Sequence, residues 1–188
     1  MEDIGFSMAL FVHIVGALGF FVALGLEWSG LSQLQGATPP EHAEAWMDVL
    51  GRSRRLGFGS MFLAVITGFY MMATDVGAVP WLIVTLGSVV LLIVLAAALT
   101  GPRMAAIGRT FTAQKTTPSD AFRRLANHPI LGLSIRVRTA VALGIVFLKV
   151  VQPDLVPSLL TIGVAILLGL ASALPIARVI RARGAETN

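Results

Sequence analysis

One histidine lies inside a long apolar stretch of this sequence, and it is the first candidate for chemistry. An ionisable side chain such as that of His13 is costly to bury among apolar residues. It therefore indicates a metal or haem ligand, or a group that handles protons. The alternative is structural, a neutral imidazole that donates one hydrogen bond to a carbonyl or hydroxyl on a neighbouring helix. The candidate side-chain partners are Thr67, Tyr70, Thr85 and Ser88.

Methionines are the sulfur ligands that could join His13, because the chain contains no cysteine. Met71 and Met72 end the second apolar stretch on the side where His13 is expected, and Met8 precedes it by one to two helical turns. A histidine and a methionine can hold haem iron or copper, although methionine also simply fills gaps between helices. His42 and His128 are expected in polar connections, about 15 Å or more from His13 along the membrane normal, which excludes bis-histidine pairing within one chain.

Three charged residues lie at the ends of apolar stretches. Glu27 closes the first, while Arg136 and Arg138 open the fourth. Residues that are two positions apart on a helix are related by a rotation of about 200°, so the two arginines face different directions. We predict a structural ion pair between Glu27 and Arg138, with the other arginine reaching the lipid headgroups.

Catalytic motifs are absent from the sequence. It contains no HExxH, no glycine-rich phosphate loop, no G-x-S-x-G and no pair of carboxylates within the apolar stretches. Enzymatic activity would therefore require a bound cofactor to perform the chemistry, and the chain is predicted to be non-enzymatic.

The elements that carry these residues are predicted to be membrane helices. Of 188 residues 56% are hydrophobic and only 13% are charged, with a mean hydropathy of +0.84. The apolar stretches lack the alternation of a membrane β-barrel and each is near the roughly 20 residues that one helical crossing needs. We predict an all-α integral membrane protein, one polytopic domain over residues 1–188. Its bundle of about five transmembrane helices would lie at 5–26, 56–73, 80–100, 130–151 and 156–177.

Arginine and lysine predict the orientation of this bundle. They cluster in the first and third connections and in the C-terminal tail, whereas the second and fourth connections are short and contain no arginine. The excess of basic residues on cytoplasmic loops then places the N-terminus outside and the C-terminus in the cytoplasm. The acidic start, MEDIGFSMALFVHIVG, is typical of a retained first span and not of a cleaved signal peptide.

Two connections share the pattern T-P-x-acid, which begins a helix with a capping residue followed by proline. It predicts amphipathic cytoplasmic helices at about 39–50, ending at Gly51, and at about 118–127, ending at His128-Pro129. Gly101-Pro102 and Pro153 are expected to stop the spans before them. The shared pattern indicates a duplicated two-helix hairpin plus a fifth span, although proline-capped helices are common in short loops.

Small residues at four-residue spacing predict close helix packing, either within the chain or between copies of it. They are Ala165, Gly169, Ala173 and Ala177 in the fifth span, and Gly19 with Ala23 in the first.

Three stretches resemble small bacterial inner-membrane proteins of the copper-resistance CopD type and the HemJ type of protoporphyrinogen oxidase: LFVHIVGALGFFVALG, ITGFYMM and RVRTAVALGIVFLKVVQP. The resemblance implies a multi-pass protein of the bacterial inner (cytoplasmic) membrane. The HemJ type implies haem ligated by His13 and a lysine in the third span, but no lysine lies between Pro80 and Thr100. The CopD type implies copper ligands on the outer face, for which Met8, His13, Met71 and Met72 are the available set.

Three functional hypotheses follow. The first is a non-enzymatic accessory or interaction subunit, with the lipid bilayer, other membrane subunits or a second copy as partners and no nucleic acid. The second is a haem- or copper-binding redox protein in which His13 is a ligand, with Met71 or Met72 as the other. The third is a small oligomeric transporter or channel.

Overall fold

The computed structural model describes residues 4–36, 40–113 and 120–173. Within those residues the chain is almost entirely helical and contains no strand, which confirms the all-α prediction. The helices are α1 (Ile4–Gly36), α2 (Pro40–Met71), α3 (Pro80–Leu95), α4 (Gly101–Ala113), α5 (Asp120–Ala126), α6 (Pro129–Val151) and α7 (Leu155–Ala171). Two single π-helical turns, Met72–Val76 and Ala96–Thr100, extend α2 and join α3 to α4.

Four helical segments are long and apolar enough to cross a membrane. They span Ile4–Gly36, His42–Thr74, Pro80–Thr112 and Asp120–Val151, with 33, 33, 33 and 32 residues. A helix of that length extends about 50 Å, whereas the hydrocarbon core is about 30 Å thick. The fifth apolar helix, α7, has 17 residues. The structure thus supports a multi-pass membrane protein. The fourth segment is interrupted between α5 and α6, and the other three exceed the length of one crossing.

The prediction that a helix ends at Gly51 is wrong. The chain is helical from Pro40 as expected, but α2 continues through Gly51 to Met71. Residues before and after this glycine contact α1. Leu50 packs against Gly30, and the Ser53 hydroxyl donates to the Ala23 carbonyl at 3.0 Å. A single glycine costs a helix only about 1 kcal/mol, which such contacts offset.

The prediction that Gly101-Pro102 stops the third span is also wrong. The backbone stays helical through the π turn Ala96–Thr100, where the Gly101 amide donates to the Ala96 carbonyl five residues back. A π turn inserts one residue into a helix, and this wider turn accommodates a proline that has no amide proton to donate.

Other predicted boundaries are confirmed. The α5 helix ends before His128, whose side chain accepts a hydrogen bond from the Ile130 amide and caps α6. At its other end α6 stops before Pro153, with Gln152 in the left-handed conformation at φ 51°. The fifth helix ends earlier than the predicted 156–177, since the last residue of α7 is Ala171. Residues 37–39, 114–119 and 174–177, which include both threonine caps and Ala177, lie outside the described residues.

Contacts divide the chain into two units, one built from α1 and α2 and one from α3 to α7. In the first unit α1 and α2 form a hairpin with small residues at its interface. A Cβ on Gly16 would lie 2.9 Å from the Ser60 carbonyl oxygen, and one on Gly57 would lie 3.2 Å from the Ala23 Cβ. These glycines let the two helices approach closely.

In the second unit α3, α6 and α7 pack around a core of Val84, Leu148 and Ile162. The predicted small-residue stripe of the fifth span lies at this interface: Gly169 faces the Val137 backbone, where an added Cβ would be 2.7 Å from Cα. Next to this bundle the Phe111 ring of α4 contacts the Phe122 ring of α5, with 5.7 Å between centroids. The small residues therefore make contacts within the chain.

Candidate functional site

His13 lies on the face of α1 that packs against α2. Its Nδ1 is 2.8 Å from the Ala64 carbonyl oxygen and 3.3 Å from the Thr67 hydroxyl. A carbonyl oxygen only accepts, so Nδ1 carries the proton and donates it to Ala64. The Thr67 hydroxyl donates its own hydrogen bond to the Leu63 carbonyl oxygen, at 2.7 Å. The Nδ1 nitrogen is therefore a donor in this structure, and its bond to Ala64 fixes the orientation of the His13 ring.

Gly68 makes room for this imidazole. A Cβ at Gly68 would lie 3.3 Å from the His13 Cε1 and 3.5 Å from Nδ1, so the ring rests almost directly on the α2 backbone. Thr67 was among the partners that the sequence indicated. The closer partner, the Ala64 carbonyl, could not be singled out from sequence because every residue carries a carbonyl.

The three candidate methionines differ in their burial and in their place on the helices. Met71 follows Thr67 by one helical turn, which places it on the face of α2 that packs on α1, and it is buried. Met72 begins the π turn and is half-buried, whereas Met8 is 56% exposed. Met71 is thus the better placed of the predicted sulfur ligands.

The described part of the chain gives His13 no metal-binding cluster of histidine and carboxylate side chains. Within the residues that the structure describes, no group of three or more His, Asp or Glu side chains could hold a metal ion. His42 precedes Ala64 by 22 positions on the continuous α2 helix, which is about 33 Å. Bis-histidine ligation by this pair is therefore excluded within the hairpin, as the sequence predicted.

A second polar cluster lies inside the second unit. The Ser134 and Thr100 hydroxyls are 3.0 Å apart, and the buried Arg138 guanidinium donates to Thr100 at 3.4 Å. Sequence analysis missed Ser134 and Thr100, although Ser134 precedes Arg138 by one helical turn and so shares its face. The predicted Glu27–Arg138 pair would join the two units and stays a prediction.

The neighbouring arginine behaves as the helical rotation predicts. Arg136 points away from Thr100, and its Nη1 donates to the Ser172 carbonyl at the end of α7, at 2.7 Å.

At the far end of α6, the Lys149 ammonium lies 5.1 Å from the centre of the Trp81 ring. This cation–π contact gives Lys149 an aromatic partner within the same unit.

Compared with protein-family models, with curated proteins and with solved structures, the chain shows no match.

Proposed function

We propose that this chain is a five-span protein of a bacterial cytoplasmic membrane that acts as a non-enzymatic accessory or interaction subunit. The N-terminus would lie outside and the C-terminus in the cytoplasm, as the distribution of arginine between connections favours. In this proposal its two hairpins are copies of one unit, and α7 is the added fifth span.

The hydrogen bond of His13 is the observation that carries the accessory role. The histidine of the first span donates to the Ala64 carbonyl of the facing helix, which is what a structural histidine between two membrane helices does. The Arg138, Thr100 and Ser134 side chains are likewise joined by hydrogen bonds within their own unit. Polar groups that stabilise helix contacts are expected in a scaffold that has no reaction to perform.

Substitution of His13 tests this role. His13→Ala should lower the free energy of unfolding by about 1 kcal/mol, the scale of one hydrogen bond between membrane helices. The purified full-length protein should be colourless and free of metal after expression with haem and copper available. When extracted in mild detergent from its native membrane, it should co-purify with a second subunit in fixed stoichiometry. A monomer that catalyses substrate or proton flux in proteoliposomes would contradict the proposal and favour the transporter hypothesis.

Orientation is tested separately by cysteine labelling, which the natural absence of cysteine makes simple. Thr112→Cys and Ala78→Cys change no charge, and both positions are exposed. In right-side-out vesicles a membrane-impermeant maleimide should label position 78 and not position 112. The reverse pattern would overturn the proposed topology.

Haem binding is the second candidate function, and the same hydrogen bond favours it. Metal-binding histidines usually donate their other ring nitrogen to a carbonyl or carboxylate, which fixes the tautomer and the ring. With the proton on Nδ1, Nε2 is the nitrogen of His13 that would have to ligate the iron, and Met71 on the facing helix is the better placed sulfur ligand. A histidine and a methionine are a donor pair that can hold haem iron as its two axial ligands.

An absorption spectrum separates the two candidates. A Soret band that is present in the oxidised and reduced protein and lost in His13→Ala would assign His13 as a haem ligand. Met71→Leu should then shift the spectrum, whereas Met8→Leu, the control, should leave it unchanged. A featureless spectrum would retain the accessory role.

A further inference from the structure

Two exposed arginines, Arg52 and Arg55, are neighbours on the outer surface of α2. The side of α2 that faces α1 is marked by Ser53, which donates to the Ala23 carbonyl, and by Gly57, whose added Cβ would lie 3.2 Å from the Ala23 Cβ. Arg55 is two positions from each of these two residues, a helical rotation of about 200° that turns it away from α1. Arg52 precedes Arg55 by three positions on a continuous helix, which brings the two side chains together.

The guanidinium of Arg55 is available to a ligand. Within the part of the chain that the structure describes, it makes no hydrogen bond or ion pair. Arg52 donates through Nη2 to the Asp48 carboxylate, one turn earlier, and a guanidinium carries five N–H donors. Asp48 therefore orients the Arg52 side chain, while other donors of Arg52 and those of Arg55 can meet an anion.

Arg55 lies at the predicted boundary of the hydrocarbon core. Residues 56–71 of α2 contain no charged side chain, so Arg55 is the last charge before the apolar part of this helix. On α1, Trp28 is 45% exposed and lies at nearly the same level, because Leu50 of α2 packs against Gly30 of α1. Tryptophan is enriched at the level of the lipid headgroups. Both helices of the hairpin therefore place the headgroups close to Arg55.

Open helix surface lies on both sides of Arg55. Gly51 precedes it and Gly59 follows it by four positions, about one helical turn, and an added Cβ at either glycine would have nothing within 4 Å. On the apolar side, Phe58 and Phe62 are 76% and 56% exposed and adjoin Gly59. A ligand can therefore approach the helix beside the guanidinium and continue between apolar side chains.

This face is complementary to a phospholipid of the same leaflet. Guanidinium groups bind phosphate oxygens through paired, charge-assisted hydrogen bonds. Basic side chains at the membrane surface attract anionic headgroups. The phenylalanine rings beyond Gly59 present apolar surface to the hydrocarbon part of the same molecule. The face therefore presents donors for a phosphate and apolar surface for its acyl chains, in the order in which a lipid carries the two groups.

We propose that the outer face of α2 binds one anionic phospholipid, with its phosphate at Arg52 and Arg55 and its glycerol and acyl chain along Gly59 and Phe62. This inference rests on the proposed membrane location but not on the accessory role. It depends on the continuity of α2 through Gly51, which holds the arginines and the apolar residues on one rigid helix.

Native mass spectrometry of the full-length protein in detergent tests the site. The protein is titrated with phosphatidylglycerol, with phosphatidylcholine of identical acyl chains, and with glycerol phosphate. Phosphatidylglycerol should bind about tenfold more tightly than phosphatidylcholine, since each arginine near the headgroup favours an anionic lipid. Glycerol phosphate should not compete, because it lacks the acyl chain.

Arginine variants test the phosphate half of the site. Arg55→Gln should remove most of the preference for phosphatidylglycerol, and Arg52→Gln with Arg55→Gln should remove all of it. Arg55→Lys should keep part of the preference, because lysine retains the charge without the planar donor fork. Arg109→Gln, at an exposed arginine of α4, removes the same charge elsewhere and should leave the preference unchanged.

Glycine variants test the apolar half. Gly59→Leu fills the open surface next to Arg55 and should weaken the binding of both phospholipids. Gly25→Leu is the matched control, because an added Cβ at Gly25 of α1 also has nothing within 4 Å. It should leave both affinities unchanged. Since both positions have open space, both variants should fold, which circular dichroism checks.

Equal binding of the two phospholipids, or an equal loss of preference in Arg109→Gln and in the double Gln variant, would overturn the lipid site. Competition by glycerol phosphate would also overturn it, since a free phosphate would then be the ligand. Equal effects of leucine at positions 59 and 25 would remove the acyl chain from the proposed site. Release of the chain from membranes by carbonate without detergent would instead contradict the proposed membrane function, so the two failures are distinguishable.

Discussion

At the scale of single residues, three polar side chains in the apolar helices donate hydrogen bonds to backbone carbonyls of the facing helix. His13 donates to Ala64, Ser53 to Ala23 and Arg136 to Ser172. Each such bond contributes about 1 kcal/mol or less in a membrane helix pair, because alternative partners exist before the helices associate. Together they fix the register of the pairs more than they stabilise them.

Glycine substitutions should separate close contacts from open surface in α1 and α2. At Gly16 an added Cβ would meet the Ser60 carbonyl oxygen at 2.9 Å and the Ala64 nitrogen at 3.0 Å, and backbone atoms cannot easily move. We expect Gly16→Ala to lower the free energy of unfolding by about 1 to 3 kcal/mol. The measurement is unfolding of the purified protein in mixed detergent and SDS.

Gly59→Ala provides the control for that substitution, since nothing lies within 4 Å of a Cβ at Gly59. It should be neutral or stabilise the helix by up to about 1 kcal/mol. Equal losses at the two positions would show that α1 and α2 do not pack as described.

At the scale of elements, helices continue through residues that normally end them. α2 passes through Gly51, and α3 continues into α4 across Gly101-Pro102 by way of a π turn. By contrast, the chain leaves the helical conformation at His128-Pro129, where the histidine caps α6. The two segments that share the T-P-x-acid pattern therefore differ, since α2 is continuous whereas α5 and α6 are separate helices.

A proline at position 51 tests the continuity of α2. Gly51→Pro should destabilise the protein by about 3 kcal/mol or more, because it removes a backbone hydrogen bond and clashes with the preceding turn. Gly36→Pro, at the last residue of α1, should cost much less. Both are measured by thermal unfolding followed by circular dichroism. Tolerance of proline at 51 would mean that the helix ends there after all.

Much of this architecture could be predicted from sequence, for reasons that differ between elements. The hydrophobic stretches located the membrane helices, since their length and composition depend only on the solvent around them. Proline boundaries at Pro80, Pro129 and Pro153 followed from the missing amide. The continuity at Gly51 and Pro102 could not be predicted, because it depends on contacts with another helix and on a π turn. Similarly, Thr67 could be proposed as a partner of His13, but the Ala64 carbonyl could not.

At the scale of the whole molecule, the long helices must extend into water. A 33-residue helix exceeds the hydrocarbon thickness by about 20 Å, and the polar parts of α1 and α2 lie on the predicted cytoplasmic side. Exposure in this protein therefore has two meanings, since some exposed side chains contact lipid and others contact water.

Cysteine labelling can tell the two kinds of exposure apart. Ser32→Cys and Ala45→Cys should react with a water-soluble maleimide in permeabilised vesicles. Phe11→Cys and Phe62→Cys should not, although those side chains are 61% and 56% exposed in the structure, because lipid covers them. Labelling of position 11 or 62 at the same rate as position 32 would contradict membrane insertion of α1 and α2.

The unequal helix lengths have a consequence for the membranes that this protein can occupy. A 33-residue helix continues beyond the bilayer surface. If the bilayer becomes thicker or thinner, its surface meets the helix at a different residue, and no backbone hydrogen bond is disturbed. The 17 residues of α7 cover only about 25 Å. A bilayer that is thickened by sterols or by long acyl chains would therefore be mismatched with α7 before it is mismatched with the 33-residue helices, so among the described helices α7 limits the bilayer thickness that the protein tolerates.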